Sequence, residues 1–187
     1  MQNPSSEIVA VVSLLTAAAV PEVQKAAFYK YMTPDAGFRH PICSVTPGAG
    51  SRDQMLGIFQ WYRIMSPNID IKVNSVVHDT ANNVILLDVV QRFHIRLSPF
   101  KPAPSRLLVR LTLRLENGLY RIAMQEDFYH PDDFMSLLVP PLAPLVRTSL
   151  SLASFVSEIS AKFGQLFGIW STSGHDAHHA GLYDKRD

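Results

Sequence analysis

Leu107-Leu-Val-Arg-Leu-Thr-Leu-Arg-Leu-Glu-Asn-Gly-Leu-Tyr-Arg-Ile-Ala-Met-Gln-Glu-Asp-Phe-Tyr129 is the stretch whose reading decides the fold. Leu107, Val109, Leu111, Leu113 and Leu115 alternate with Arg110, Thr112 and Arg114, the period of a strand with one apolar face. Asn117 and Gly118 both tolerate positive φ, so the chain turns back there in a tight hairpin. The returning strand runs from Leu119 to Tyr129. On it Tyr120, Ile122 and Met124 define the apolar face, and steps of two carry Glu126, Phe128 and His130 onto the same face. A carboxyl so placed resists ionising and can act as a general acid; a bulge in the strand would move it out again.

Upstream of the hairpin the pattern stays extended. Val84 to Leu97 reads as a strand, with Gln91 on the face of Ile85, Leu87, Val89 and Phe93. Before the turn at Asn82-Asn83, Ile69, Ile71, Val73, Ser75 and Val77 alternate with Asp70, Lys72, Asn74 and His78. Pro99, Pro102 and Pro104 make Ser98–Ser105 a loop. Further upstream the period becomes helical. Ser51 with Gln54 has the form of a capping box opening a helix through Met55, Ile58, Phe59, Tyr62 and Met65, closed by Ser66-Pro67. Pro21 suits the first position of a helix that ends near Thr33-Pro34, and a short extended piece follows from Gly37 to Val45. Ser5 or Ser6 can cap a first helix through Ile8, Val11, Val12, Leu15 and Ala19.

Downstream of Pro131-Asp132-Asp133 the helical period returns, interrupted by Pro140, Pro141 and Pro144. Leu145, Leu152, Ile159 and Leu166 then recur at seven-residue spacing, flanked by Val156, Phe163 and Trp170. The division expected is an N-terminal helix over 1–20 packing on the core, an α+β domain over 21–135, an amphipathic helical extension over 136–170 and a disordered polar tail over 171–187.

Helix, helix, short strand, helix and then four antiparallel strands resembles the nuclear transport factor 2-like fold. This cone-shaped α+β fold is shared by ketosteroid isomerase, scytalone dehydratase and SnoaL-type polyketide cyclases. The local likeness is carried by Tyr31-Met-Thr-Pro-Asp35-Ala-Gly-Phe38-Arg-His40-Pro41, by the helix near Ser51 and by the Asn117-Gly118 hairpin. The extra C-terminal helix resembles the fungal SigF-like branch of that superfamily. The resemblance implies a curved antiparallel sheet enclosing an apolar pocket against N-terminal helices, in a fold that hosts enzymes, transport adaptors and binding modules alike.

The composition is compatible with that picture. The chain has 187 residues, 47% hydrophobic and 18% charged, enough for a packed core. A net charge of +1 gives no global drive toward nucleic acid. Cys43 is the single cysteine, so no intrachain disulfide can form and no thiol cluster can hold a metal. No basic residue precedes the apolar stretch Ile8–Val20, which argues against a secretory signal and for a cytoplasmic protein.

His40 stands where isomerase-like members carry a carboxylate base before proline, and imidazole titrates near neutrality; the plainer reading is a histidine bonded to loop backbone. Glu126 is the expected acid, against a paired structural acid. Asp35 faces inward if it follows dehydratase-like relatives, and otherwise caps a turn. Tyr31, Trp61, Tyr62, Gln91, Phe93, Met124 and Phe128 would shape a substrate site, although aromatic residues at helical spacing more often fill a core. The isomerase's oxyanion groups have no counterpart, since Thr16 replaces its phenol and Leu111 and Leu113 face inward with no acid, which argues against ketosteroid isomerisation. His175, His178 and His179 read as adventitious metal binders, so neither metal nor cofactor is expected.

The leading expectation is isomerisation, dehydration or cyclisation of a hydrophobic polyketide or terpenoid. The alternative is a non-catalytic module that binds a small molecule, a protein or a membrane. The C-terminal helix could act as a lid, pair two chains in a homodimer or touch a membrane surface, the last disfavoured by its few cationic groups. Arg92, His94, Arg96, Arg110, Arg114 and Arg121 fall on the outer sheet face, where salt bridges are the plainer expectation than an acidic partner.

Overall fold

Proline, glycine and short-range hydrogen bonds set where the first elements begin. The computed structural model describes residues 1–96 and 98–170. Pro4 opens α1 (Pro4–Thr16), one residue ahead of the expected serine cap, and the Glu7 carboxylate accepts the backbone N–H groups of Gln2 and Asn3, both at 2.7 Å. Pro21 opens α2 (Pro21–Tyr31) as expected. The helix yields to β1 (Met32–His40) and β2 (Cys43–Val45), so the extended segment starts five residues earlier than its composition suggested. Ser51 is the first residue of α3 (Ser51–Met65) and not its cap. Gly50, at φ 77°, makes the turn into the helix, and the Ser51 hydroxyl donates back to the Gly48 carbonyl.

Strands β3 (Ile69–Asp79), β4 (Val84–Phe93), β5 (Ser105–Glu116) and β6 (Leu119–Tyr129) follow. The six strands form one sheet in the order β2-β1-β6-β5-β4-β3; every pair is antiparallel except β1 with β6. Asn117 (φ 51°) and Gly118 (φ 76°) form the turn joining β5 to β6. The core lies between one sheet face and the three N-terminal helices, where Ile8, Val11, Phe28, Met55 and Phe59 meet Ile85, Leu87, Leu111 and Ile122.

Two bulges break the alternation expected from sequence. On β3, Val73 pairs with Val89 but Ser75 pairs with Asp88, so Asn74 is the extra residue. Val76 then turns to the core in place of Val77, which is 59% exposed. On β6, Met124 pairs with Thr112 but Ile122 pairs with Leu113, so Ala123 is the extra residue. From there to the end of the strand the inward set is Gln125, Asp127 and Tyr129.

At Gly37 the backbone passes so close to its neighbours that a Cβ would lie 2.6 Å from the Met124 sulfur and 2.7 Å from the Pro47 ring. Gly37→Ala should lower the stability of the fold by about 1–3 kcal/mol, the usual cost of overpacking. A urea midpoint equal to that of the unsubstituted protein would contradict this.

The chain divides into two compact units, Met1–Pro144 and Leu145–Asp187. The first closes with α4 (Pro131–Leu138) and a 3-10 turn over Pro140–Leu142. In α5 (Ala143–Leu166), Lys162 pairs with Glu158 one turn away and the ring of Phe163 meets Phe167 edge-on. No described helix is long and apolar enough to cross a membrane. The polar stretch from Ser171, with His175, His178 and His179, lies outside the described residues.

Candidate functional site

The inward faces of β4, β5 and β6 leave space between themselves, α1, α3 and α4. This is a cavity of about 90 Å³ in the first unit. Most of its wall is aliphatic or aromatic: Leu15, Val89, Leu107, Val109, Leu111 and Ile122 on one side, Phe59, Phe93, Phe134 and Leu137 on another. Against these stands a small polar group made of His40, Tyr62, Gln91, Gln125, Asp127 and Tyr129.

Each polar side chain has a defined setting. Gln91, on β4, donates from Nε2 to the Tyr129 hydroxyl oxygen at 2.6 Å, so the tyrosine's own hydrogen remains to donate. Gln125 donates from Nε2 to Oδ1 of Asp127 at 3.0 Å, which leaves Oδ2 to carry a proton. Tyr62, on α3, lies 3.3 Å from the Cys43 sulfur. His40, at the end of β1, is ringed by Phe38, Tyr62, Tyr129 and Phe134 with centroid separations of 5.4–6.1 Å. The backbone N–H of Ile42 donates to its Nδ1 at 3.4 Å, so a neutral ring carries its hydrogen on Nε2.

Burial sets the protonation states. The aromatic enclosure strips water from His40 and lowers its pKa from 6.5 to about 4, so the imidazole is neutral at physiological pH. Asp127 keeps some accessible surface, which faces the cavity and an adjoining notch beside Arg39 and Glu126. Protein atoms nonetheless crowd its carboxyl, and burial raises the pKa from 3.8 to about 7 against the opposing hydrogen bond from Gln125. Burial, and then the hydrogen bond with Cys43, holds the Tyr62 phenol well above its ordinary value. Tyr129 is raised by burial and next by the Asp127 charge. Gln91→Leu would remove the donor to Tyr129 and should cost about 1 kcal/mol of stability; an unchanged thermal midpoint would contradict the importance of that bond.

Of the residues expected at a site, His40, Tyr62, Gln91 and Phe93 meet at the cavity. The bulge at Ala123 turns the others on β6 away. Glu126 faces outward and pairs with Arg110, and Phe128 is 48% exposed. Met124, paired with Thr112, lies on that same outer face. Asp35 is also outside: Arg114 binds it through one nitrogen at 2.8 and 3.1 Å and holds its carboxyl below the usual range. Trp61 is 54% exposed on α3, and Tyr31 packs on the core; neither lines the cavity. Asp127, Tyr129, Gln125 and Phe134 are the cavity residues that sequence reasoning missed. The outer sheet face carries its own ion pairs, including Arg106–Asp88 and Arg121–Glu116. Among the described residues no three His, Cys, Asp or Glu side chains converge as metal ligands would.

The sequence matches a known domain over almost the whole described chain: the model of the SigF NTF2-like domain covers residues 1–169. The chain belongs to that family. Solved structures similar to this SigF NTF2-like chain include AusH from Aspergillus nidulans, 13% identical, with a TM-score of 0.51 over 67% of this chain and 82% of that one. An NTF2-like protein of unknown function from Burkholderia pseudomallei is also 13% identical, with a TM-score of 0.51 over 70% and 96% of the two chains. A third, from an Exiguobacterium species, is 8% identical with a TM-score of 0.50 over 64% and 93%. At these identities the likeness is one of fold alone. No curated protein matches the SigF NTF2-like chain.

Proposed function

We propose that the protein is a cofactor-independent acid–base enzyme, an isomerase, dehydratase or cyclase, acting on a hydrophobic small molecule such as a polyketide or terpenoid. The observation that carries this reading is the single carboxyl of Asp127, poised near pH 7 among a few uncharged polar groups on the wall of a largely apolar cavity. A group that titrates at the working pH both accepts and returns a proton with little driving force lost in either direction. Asp127 takes the place at the cavity expected of Glu126, and it begins as the base, the role expected of His40. As carboxylate it removes a proton from a carbon beside a ligand carbonyl, and the electron pair moves onto the carbonyl oxygen. The Nε2–H of neutral His40 and the Tyr129 hydroxyl are the donors available to hold that oxygen. Return of the proton to a different carbon completes an isomerisation, and its return to a leaving hydroxyl completes a dehydration.

The cavity is smaller than the ~150 Å³ that holds benzene in an engineered apolar core, so a terpenoid-sized ligand needs Phe134, Leu137 and Leu138 of α4 to move aside. Deuterium incorporation into a panel of hydrophobic ketones in heavy water, read by mass spectrometry, tests the proposal. Protein-dependent exchange at a carbon next to the carbonyl supports it. Exchange that persists in both His40→Ala and Asp127→Asn would dismiss these roles.

A further inference from the structure

Apart from the central cavity and sharing no lining residue with it, a groove of about 580 Å³ runs between the α1–α2 connection, the last turns of α3 and the segment after β4. Short side chains, Ala18, Pro21 and Pro67 among them, leave its floor open, and the exposed Val20 and Ile64 flank it. Two arginines line this groove, Arg63 from the last turn of α3 and Arg96 from beyond β4. Backbone bonds hold the two segments that carry them together: the Arg96 N–H donates to the Met65 carbonyl at 2.8 Å, and the His94 N–H to that of Asn68 at 3.2 Å. Among the described residues no ion pair joins a carboxylate to either arginine, as none does for Arg39, Arg52 and Arg92, whereas Arg106, Arg110, Arg114 and Arg121 have acidic partners; what sets Arg63 and Arg96 apart is that they line one groove. Like charges on one groove repel, and an anion placed between them would convert that repulsion into charge-assisted hydrogen bonds.

We infer that this groove binds an amphiphilic carboxylate, an alkyl chain lying along Val20 and Ile64 with its carboxylate between Arg63 and Arg96. A peptide fits the walls less well, because a peptide backbone needs hydrogen-bonding partners there. The Gln24 amide nitrogen is already given to the Leu15 carbonyl, which leaves Gln60 as the uncharged side-chain amide donor on these walls beside the two arginines. This inference is independent of the reaction proposed for the central cavity.

Isothermal titration of the full chain with monomeric decanoate is the test. A single site is expected, with acetate and decanol each at least about 10-fold weaker, since one lacks the chain and the other the charge. Arg63→Gln and Arg96→Gln should each weaken decanoate about 10-fold, with unchanged thermal midpoints, and Arg63→Lys should retain part of the affinity. Asp127→Asn should leave decanoate binding as it was. Tighter binding in Asp127→Asn together with indifference to both arginines would place the carboxylate in the central cavity and overturn the inference. Equal binding of decanol, displacement of decanoate by an acidic apolar peptide at lower concentration, or binding to phosphatidylglycerol vesicles without binding of monomer would overturn it as well.

Discussion

Asp127→Asn is expected to reduce ligand proton exchange by about 10²–10⁴-fold, the range over which a positioned acid–base group contributes, while making the folded protein more stable at neutral pH. The loss follows because an amide can neither take nor return the proton. The gain follows because the wild-type carboxyl ionises inside the fold at a cost. Its pKa stands at 3.8 in an open chain and about 7 in the folded one, a gap worth up to about 4 kcal/mol at 1.36 kcal/mol per pH unit. Asparagine keeps the shape and the contact with Gln125 without that charge. Glu126→Gln, by contrast, removes an ion pair with Arg110 on the outer sheet face and should leave exchange as in wild type, because that carboxylate does not line the cavity. Denaturant midpoints at pH 7.5 beside exchange rates give the comparison. A destabilised Asp127→Asn, or a Glu126→Gln that loses exchange, would overturn the assignment.

Stability against pH should reveal the same two buried groups as opposing slopes. Asp127 has a folded pKa above its open-chain value, so the folded state holds the proton longer. Stability therefore falls as pH rises from 3.8 to about 7. His40 has a folded pKa of about 4 against 6.5, so the open chain holds the proton longer, and stability rises with pH across that interval. The second effect amounts to up to about 3 kcal/mol. Between pH 4 and 6.5 the two nearly cancel in the wild type. His40→Phe should unmask the fall, and Asp127→Asn should unmask the rise. The groups facing this pair are the uncharged Tyr62, Tyr129, Gln91 and Gln125, with Arg39 and Glu126 at the outer notch. Urea midpoints at several pH values between 4 and 7.5 read the slopes directly, and parallel curves for both variants and wild type would refute the two burials.

The elements were legible in the sequence where their cause is local. The Asn117-Gly118 turn, the leucine alternation of β5 and the helical period from Ser51 to Met65 each depend on neighbours a few residues away. His40 at the cavity was legible only through the resemblance to isomerase-like members, which carry their base before the corresponding proline. What could not be read by counting was the register of β6. Ala123 carries no glycine or proline to mark an extra residue, and every face assignment after it was inverted. The cue lay across the strand: simple counting back from the hairpin sets Arg110 opposite Gln125, whereas one additional residue sets it opposite Glu126, where the charges match. Trp61 and Tyr31 illustrate a different limit, since helical spacing puts a side chain on a face without saying whether that face is covered. The bulge at Asn74 was hidden for the same reason as that at Ala123.

The kink at Ala123 also bears on how this strand can vary among descendants of one ancestor. Loss of that one codon would restore ordinary pleating yet leave positions 125, 127 and 129 looking inward, because the residue removed is the one that pairs with nothing. Loss or gain of a codon between 124 and 127 would instead turn the acid out into solvent. The distance from the Asn-Gly corner to the working acid is therefore free to be odd or even in related chains, and aligning them on that corner alone would match the wrong carboxyl.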